Sequence, residues 1–363
     1  MKRLFVLLLA LSLLLCACKK QSEYETEPET QPSTAAPETE PAETEPEETE
    51  PVYLYHHPLT GEPLETPLTA RPVGVVINNI AEAQPLHGVG QADIIFETTA
   101  EGGGSITRLI GIFTELGEVE KVGSIRSART YFDSIARSFS APLVHCGGSD
   151  YALNELAING QPHIDARFYE GTYFYRDAER KAMGYAQEHT LFAKGASLMN
   201  LLDEKGIATT VEPDTQYGLT FEKDVKPEGE TANHISFRFS AGGKYTIMDY
   251  DQAAGCYHGT QKFVNGKERS FADANTAEYV DFENVIIIYT RITSDGYRVF
   301  AKLDGEGDGY FAANGSITPI RWHRADDGNA NFTYTYPDGT PVTLSIGKTY
   351  VGILNTGLPV DFS

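Results

Sequence analysis

From Ser22 to Glu50 the chain contains no Val, Ile, Leu, Phe or Trp. A segment with almost nothing apolar to bury cannot offset the entropy of ordering its backbone, so no domain is expected there. It is built almost wholly from Glu, Thr, Pro, Ser and Ala, with 11 Glu and no Lys, Arg or Asp. Like-charge repulsion and repeated proline extend such a chain into a tether. Those 11 charges are half of the formal net charge of −22, so overall acidity says little about ligands of the folded part. No compensating basic tract is present, and nucleic acid is not an expected partner.

Ahead of the tether, Lys2 and Arg3 precede an apolar run from Leu4 to Leu15. This is the layout of a secretory signal peptide, with an apolar region short for a bilayer span. The run ends in Leu15-Cys16-Ala17-Cys18, which resembles a bacterial lipobox. The resemblance implies that residues 1–17 are removed and that Cys18 carries the lipid. Acyl chains contributing about 0.8 kcal/mol per buried CH₂ would then hold the protein on the bilayer. The expected location is the cell membrane, lipid-anchored and facing the extracytoplasmic side, with the bilayer itself as first partner.

Residues 18–52 are thus read as anchor and tether, and the folded part begins at 53. Its first half alternates strands and helices. Val73 to Ile77, Ala92 to Glu97, Thr107 to Phe113 and Pro142 to His145 are short apolar runs bounded by turn residues, and Val122 to Ile125 is a shorter one. Ala128, Tyr131, Phe132, Ile135, Ala136 and Phe139 fall at helical spacing, with Ser127 in the N-cap position. Ala196 to Lys205 is a second helix closed by Gly206. From about Ile207 the composition shifts to Thr, Tyr, Phe and Val, punctuated by Asn265-Gly266, Asn314-Gly315, Asp327-Gly328 and Asp338-Gly339. These pairs are hairpin signals. The expected class is α+β: a mixed α/β-like N-terminal domain over 53–210 and an antiparallel β-rich C-terminal domain over 211–363. Whether the two halves share a sheet stays open.

The stretch RPVGVVINNIAEAQPLHGVGQADIIFETTAEGGGSITRLIGIF (71–113), VGSIRSARTYFDSIA (122–136), GYFAANGSITPIRWHR (309–324) and GKTYVGIL (347–354) closely resemble the YerB-like bacterial lipoproteins. That family implies a two-domain α+β protein outside the membrane. It supplies no reaction and no catalytic residue.

The residues themselves point to one candidate site. In Gly123-Ser124-Ile125-Arg126-Ser127-Ala128-Arg129, two arginines and two serines surround the expected helix start. Free N–H groups there, with guanidinium groups beside them, suit a phosphate or carboxylate. Arg108, on the strand after Gly102-Gly103-Gly104, can point to the same place. The ligand-binding set is therefore Arg108, Ser124, Arg126, Ser127 and Arg129. For Arg129 a plainer reading competes, since Arg129, Asp133 and Arg137 stand at i, i+4 spacing and can form a surface ladder. Arg126 has no such local partner.

Other clusters carry less. His145, His163 and Glu188-His189 are expected to be satisfied locally, and His145 and Cys146 point to opposite faces of a strand. Asp304, Glu306 and Asp308 open like a calcium loop, but Gly315 stands where the closing Glu belongs, leaving an acidic hairpin loop. Arg321, Trp322 and His323 fit a contacting surface or the core equally. Cys146 and Cys256 can pair or remain separate thiols. No metal or cofactor is expected. The leading function is a membrane-anchored lipoprotein that binds an anionic envelope ligand or an envelope protein. The rival is an enzyme acting on envelope polymers or lipid-linked phosphates, because the SxRSxR order is similar over a few residues to the LytR–CpsA–Psr phosphotransferases. Convergence of the arginines with Asp93, Glu97, Glu101 or His145 would favour that rival.

Overall fold

The computed structural model describes residues 53–101, 105–325 and 329–363. The signal region, Cys18 and the tether lie outside the described residues, as do Gly102-Gly103-Gly104 and the Asp327-Gly328 pair.

The apolar runs form the strands expected of them: β1 (Val73–Asn79), β2 (Ile94–Glu101) and β3 (Ile106–Phe113). A short β4 (Val122–Gly123) leads towards helix α1 (Thr130–Ser138), followed by β5 (Leu143–His145), α2 (Asp150–Ile158) and β6 (His163–Asp165). Then come β7 (Phe174–Arg176), α3 (Ala178–Ala182), β8 (Leu191–Ala193) and α4 (Gly195–Glu204). The second half supplies β9 (His234–Arg238), β10 (Tyr245–Asp251), β11 (Cys256–Lys262), β12 (Asn284–Thr290), β13 (Gly305–Ala313), β14 (Ser316–Arg324), β15 (Thr349–Asn355) and β16 (Val360–Phe362). The fold is α+β.

One sheet runs through both halves, in the order β14-β13-β12-β15-β2-β3-β1-β5-β6. Strand β15, near the C-terminus, lies parallel to both β12 and β2 and joins them. The halves therefore share their central sheet. Its central strands are buried on both sides, which is why β1 and β12 read as continuous apolar runs, whereas β13 and β14 alternate towards the edge. On one face lie Tyr131, Phe132, Ile135 and Ala136 of α1. On the other lies a second, antiparallel sheet, β11-β10-β9-β16, with Phe237, Met248 and Tyr257 facing in. Asn314-Gly315, both at positive φ, turns β13 into β14 as a hairpin pair should. Among the described residues no helix is long and apolar enough to cross a membrane.

Two expectations are corrected, and the open alternative for Trp322 is decided. Asp304, Glu306 and Asp308 do not form a hairpin loop: Gly305–Ala313 is a strand, and the two carboxylates of Glu306 and Asp308 each sit 2.8 Å from Arg321 on the paired strand. Trp322 is 1% exposed, donates from Nε1 to the Tyr289 carbonyl at 2.8 Å and packs near Phe332, so it belongs to the core. Helix α1 begins at Thr130, and Ser127 does not cap it. The cause is local. Ile125, Arg126 and Ala128 donate their N–H groups to the carbonyls of Leu191, Val76 and Gly147, which ties the chain to its neighbours until Arg129.

A candidate anion site beneath helix α1

Alternation along β3 builds the site. Thr107 and Leu109 face the second sheet, so Arg108 and Ile110 face α1. Arg108 is 1% exposed, donating to the Ser127 carbonyl at 3.2 Å and to Glu101 Oε1 at 2.9 Å. Arg129, the residue before the helix, is buried as well, and its guanidinium meets the same Glu101 oxygen. The ladder reading holds only for its second half: Arg137 pairs with Asp133 at 3.2 Å, while Arg129 turns inward to Glu101.

Arg126 completes the group. Its strand-like segment lies against β1 through the Asn78 N–H bond to the Ser124 carbonyl and its own bond to Val76. Gly123 lets the start of the segment lie close to β8 on its other side. Its φ is 140°, and a Cβ there would sit 2.8 Å from the Leu191 carbonyl oxygen. Arg126 has no ion pair among the described residues. Burial, with the like charge of Arg108, lowers its guanidinium to about 10, and Glu188 only partly opposes this. Burial alone brings Arg108 to about 10. Two cations thus share one carboxylate, and a third, Arg126, lies close enough to feel the charge of Arg108 without a carboxylate of its own.

Their hydrogen bonding is incomplete. The Nε atoms of Arg108, Arg126 and Arg129 and the Oγ atoms of Ser124 and Thr99 are buried without a partner among the described residues. Buried donors are nearly always satisfied, and each exception asks for an explanation.

Of the acids that would mark a catalytic centre, Glu101 alone joins the arginines. Asp93 accepts from the Thr114 N–H and hydroxyl at 2.7 and 2.9 Å, and burial pushes it up to about 7. Glu97 sits on the opposite face of the sheet, held by Lys244, Tyr350, Asn79 and Thr107. The histidines separate too. His145 Nδ1 donates to the Gly147 carbonyl at 2.7 Å, which leaves Nε2 to accept from His163 Nδ1 at 2.9 Å. Burial takes the His145 imidazole down to about 4. His189 accepts from Asn78 instead. Cys146 and Cys256 are both free thiols. Glu101 as counter-ion was the residue least legible in the sequence, since only the strand pairing brings it to Arg108 and Arg129.

Residues 59–208 match the family described as protein of unknown function (DUF3048), N-terminal domain, and residues 235–351 match its C-terminal domain. YerB of Bacillus subtilis (strain 168), provisionally named a lipoprotein, is 28% identical over 302 residues, 82% of this chain and 85% of YerB. A crystal structure of YerB from Bacillus subtilis superposes with a TM-score of 0.71 at 25% identity, covering 84% of this chain and 99% of that one. The chain belongs to the YerB-like DUF3048 family.

Proposed function

We propose that this chain is a lipid-anchored extracytoplasmic protein whose folded region binds an anionic, phosphate-like group at Arg126, with Arg108, Arg129, Ser124 and Ser127 around it. The observation that carries the binding reading is the cluster of buried donors without partners, three of them on guanidinium groups. An unsatisfied buried donor costs about 1–3 kcal/mol, and more when charged, so an acceptor that reaches several of them recovers much of that. Glu101 already accepts from two guanidinium groups, which makes it a counter-ion rather than a proton acceptor. That favours binding over turnover of an envelope polymer or lipid-linked phosphate.

Anchoring is supported by the Lys2–Cys18 pattern and by the naming of the relative YerB. Cys18→Ala is expected to remove lipid labelling and release the protein from the membrane fraction; an unchanged, labelled, membrane-bound variant would contradict it.

Binding is tested by titrating wild type, Arg126→Ala and Arg126→Lys with phosphate, pyrophosphate and a polymer-linked phosphate. Losing one charge-assisted bond should cost about 1.5–3 kcal/mol, roughly tenfold to a hundredfold in affinity. Arg126→Lys should recover only part, because a point charge cannot make the forked contact. Equal binding by all three proteins, or none by wild type at millimolar concentration, would refute the site.

A further inference from the structure

A second constellation lies on the other sheet, away from the arginines. Cys256 opens β11, and His258 follows two residues later, so both side chains leave the same face of the strand. Asp281 stands directly opposite His258 on the neighbouring strand, where paired side chains meet. His258 Nε2 lies 3.6 Å from Cys256 Sγ and 2.8 Å from Asp281 Oδ1. Donor atoms of all three residues fall within 4.8 Å of one another. The His258 ring stacks on Tyr279 at 4.8 Å between centroids, which fixes its plane.

The same ring nitrogen faces both the sulfur and the carboxylate. A nucleophile–base–acid relay needs the two nitrogens of the imidazole to serve different partners, so these residues are not built as one. Three donors converging on a common point are instead the arrangement of a metal site. Donors about 2.0–2.3 Å from a tetrahedral ion lie roughly 3.3–3.8 Å apart; the 3.6 Å between Cys256 Sγ and His258 Nε2 falls in that range, and the 2.8 Å hydrogen bond to Asp281 widens by about half an ångström when an ion takes its place. One thiol, one imidazole and one carboxylate form a mixed set that suits zinc and disfavours calcium or magnesium, which take oxygen ligands.

We propose that Cys256, His258 and Asp281 bind a single zinc-class divalent ion, with water in the fourth position. Burial of Cys256 behind a half-buried His258 and an exposed Asp281 leaves that position open on the solvent side. When the ion binds, the Cys256 thiol gives its proton to solvent and a sulfur–metal bond replaces the S–H bond, while the hydrogen that His258 Nε2 donates to Asp281 is lost to solvent and Nδ1 takes one up, so that the neutral ring ligates through Nε2.

The test uses the full chain carrying Cys16→Ser, Cys18→Ser and Cys146→Ser, so that Cys256 is the sole thiol. It is titrated with cobalt(II) and then with zinc. One equivalent of cobalt should give the charge-transfer absorption of a thiolate ligand together with intense tetrahedral d–d bands, and zinc should displace it. Cys256→Ser should abolish the charge-transfer band, and His258→Ala should weaken binding by about tenfold or more. Asp281→Asn changes an exposed residue, so it reads out affinity even if Cys256→Ser misfolds; it too should weaken cobalt binding. Absence of a thiolate band in the parent protein, or unchanged cobalt affinity in Asp281→Asn and His258→Ala, would overturn the assignment.

Discussion

Lys244→Met is expected to lower the unfolding free energy by about 3–5 kcal/mol, the cost of leaving one member of a buried ion pair without its partner. Lys244 is 1% exposed and Glu97 is fully buried, and the ammonium meets Glu97 Oε1 directly. The carboxylate also accepts from Asn79 Nδ2 at 2.8 Å, Thr107 Oγ1 at 2.5 Å and Tyr350 Oη at 2.8 Å. These donors come from β1, β3 and β15, so the network pins the C-terminal strand to the N-terminal ones. Burial lowers the Lys244 ammonium below its usual range while Glu97 opposes that. Removing the cation leaves a carboxylate in the core with neutral donors only. Glu97→Gln in the Lys244→Met background should recover much of the loss, since the remaining amide carries no charge. Denaturant unfolding of both single variants and the double variant checks this. A Lys244→Met protein within about 1 kcal/mol of wild type would show that the pair is dispensable.

Trp322→Ala should be comparably damaging, at about 3–5 kcal/mol, because it empties a large volume at the centre of the core. The ring lies between β14 and Phe332, and its N–H bond to the Tyr289 carbonyl ties β14 to β12, two strands away. The loss is expected in thermal and denaturant unfolding alike. A stable Trp322→Ala protein that had lost affinity for a sugar or peptide would instead restore the surface reading of this residue.

The contrast between Trp322 and Arg321 explains what the sequence can and cannot reveal. Both sit on one strand, and period-2 alternation says that they face opposite ways. It does not say which face is buried, and that is decided by strands far away in sequence. The β-rich second half, the hairpin at Asn314-Gly315 and the helix closed by Gly206 are legible because turn chemistry and periodicity are local. The shared sheet is not, since β15 reaches β2 across about 250 residues. The start of α1 fails for a related reason. Ser127 has the right chemistry for a cap, but three hydrogen bonds to distant carbonyls hold its segment extended. Helical spacing offers Arg129 the partner Asp133, yet its actual partner is Glu101, placed by the pairing of β2 with β3.

The most direct test of the anion site is a crystal structure of the protein grown with tungstate, whose anomalous scattering locates the ion independently of the surrounding density. A peak is expected within hydrogen-bonding distance of the Arg126 guanidinium, accepting from at least one of the unpartnered donors on Arg108, Arg129 and Ser124. A structure at millimolar tungstate with no peak there, and with those donors satisfied by backbone carbonyls, would contradict it.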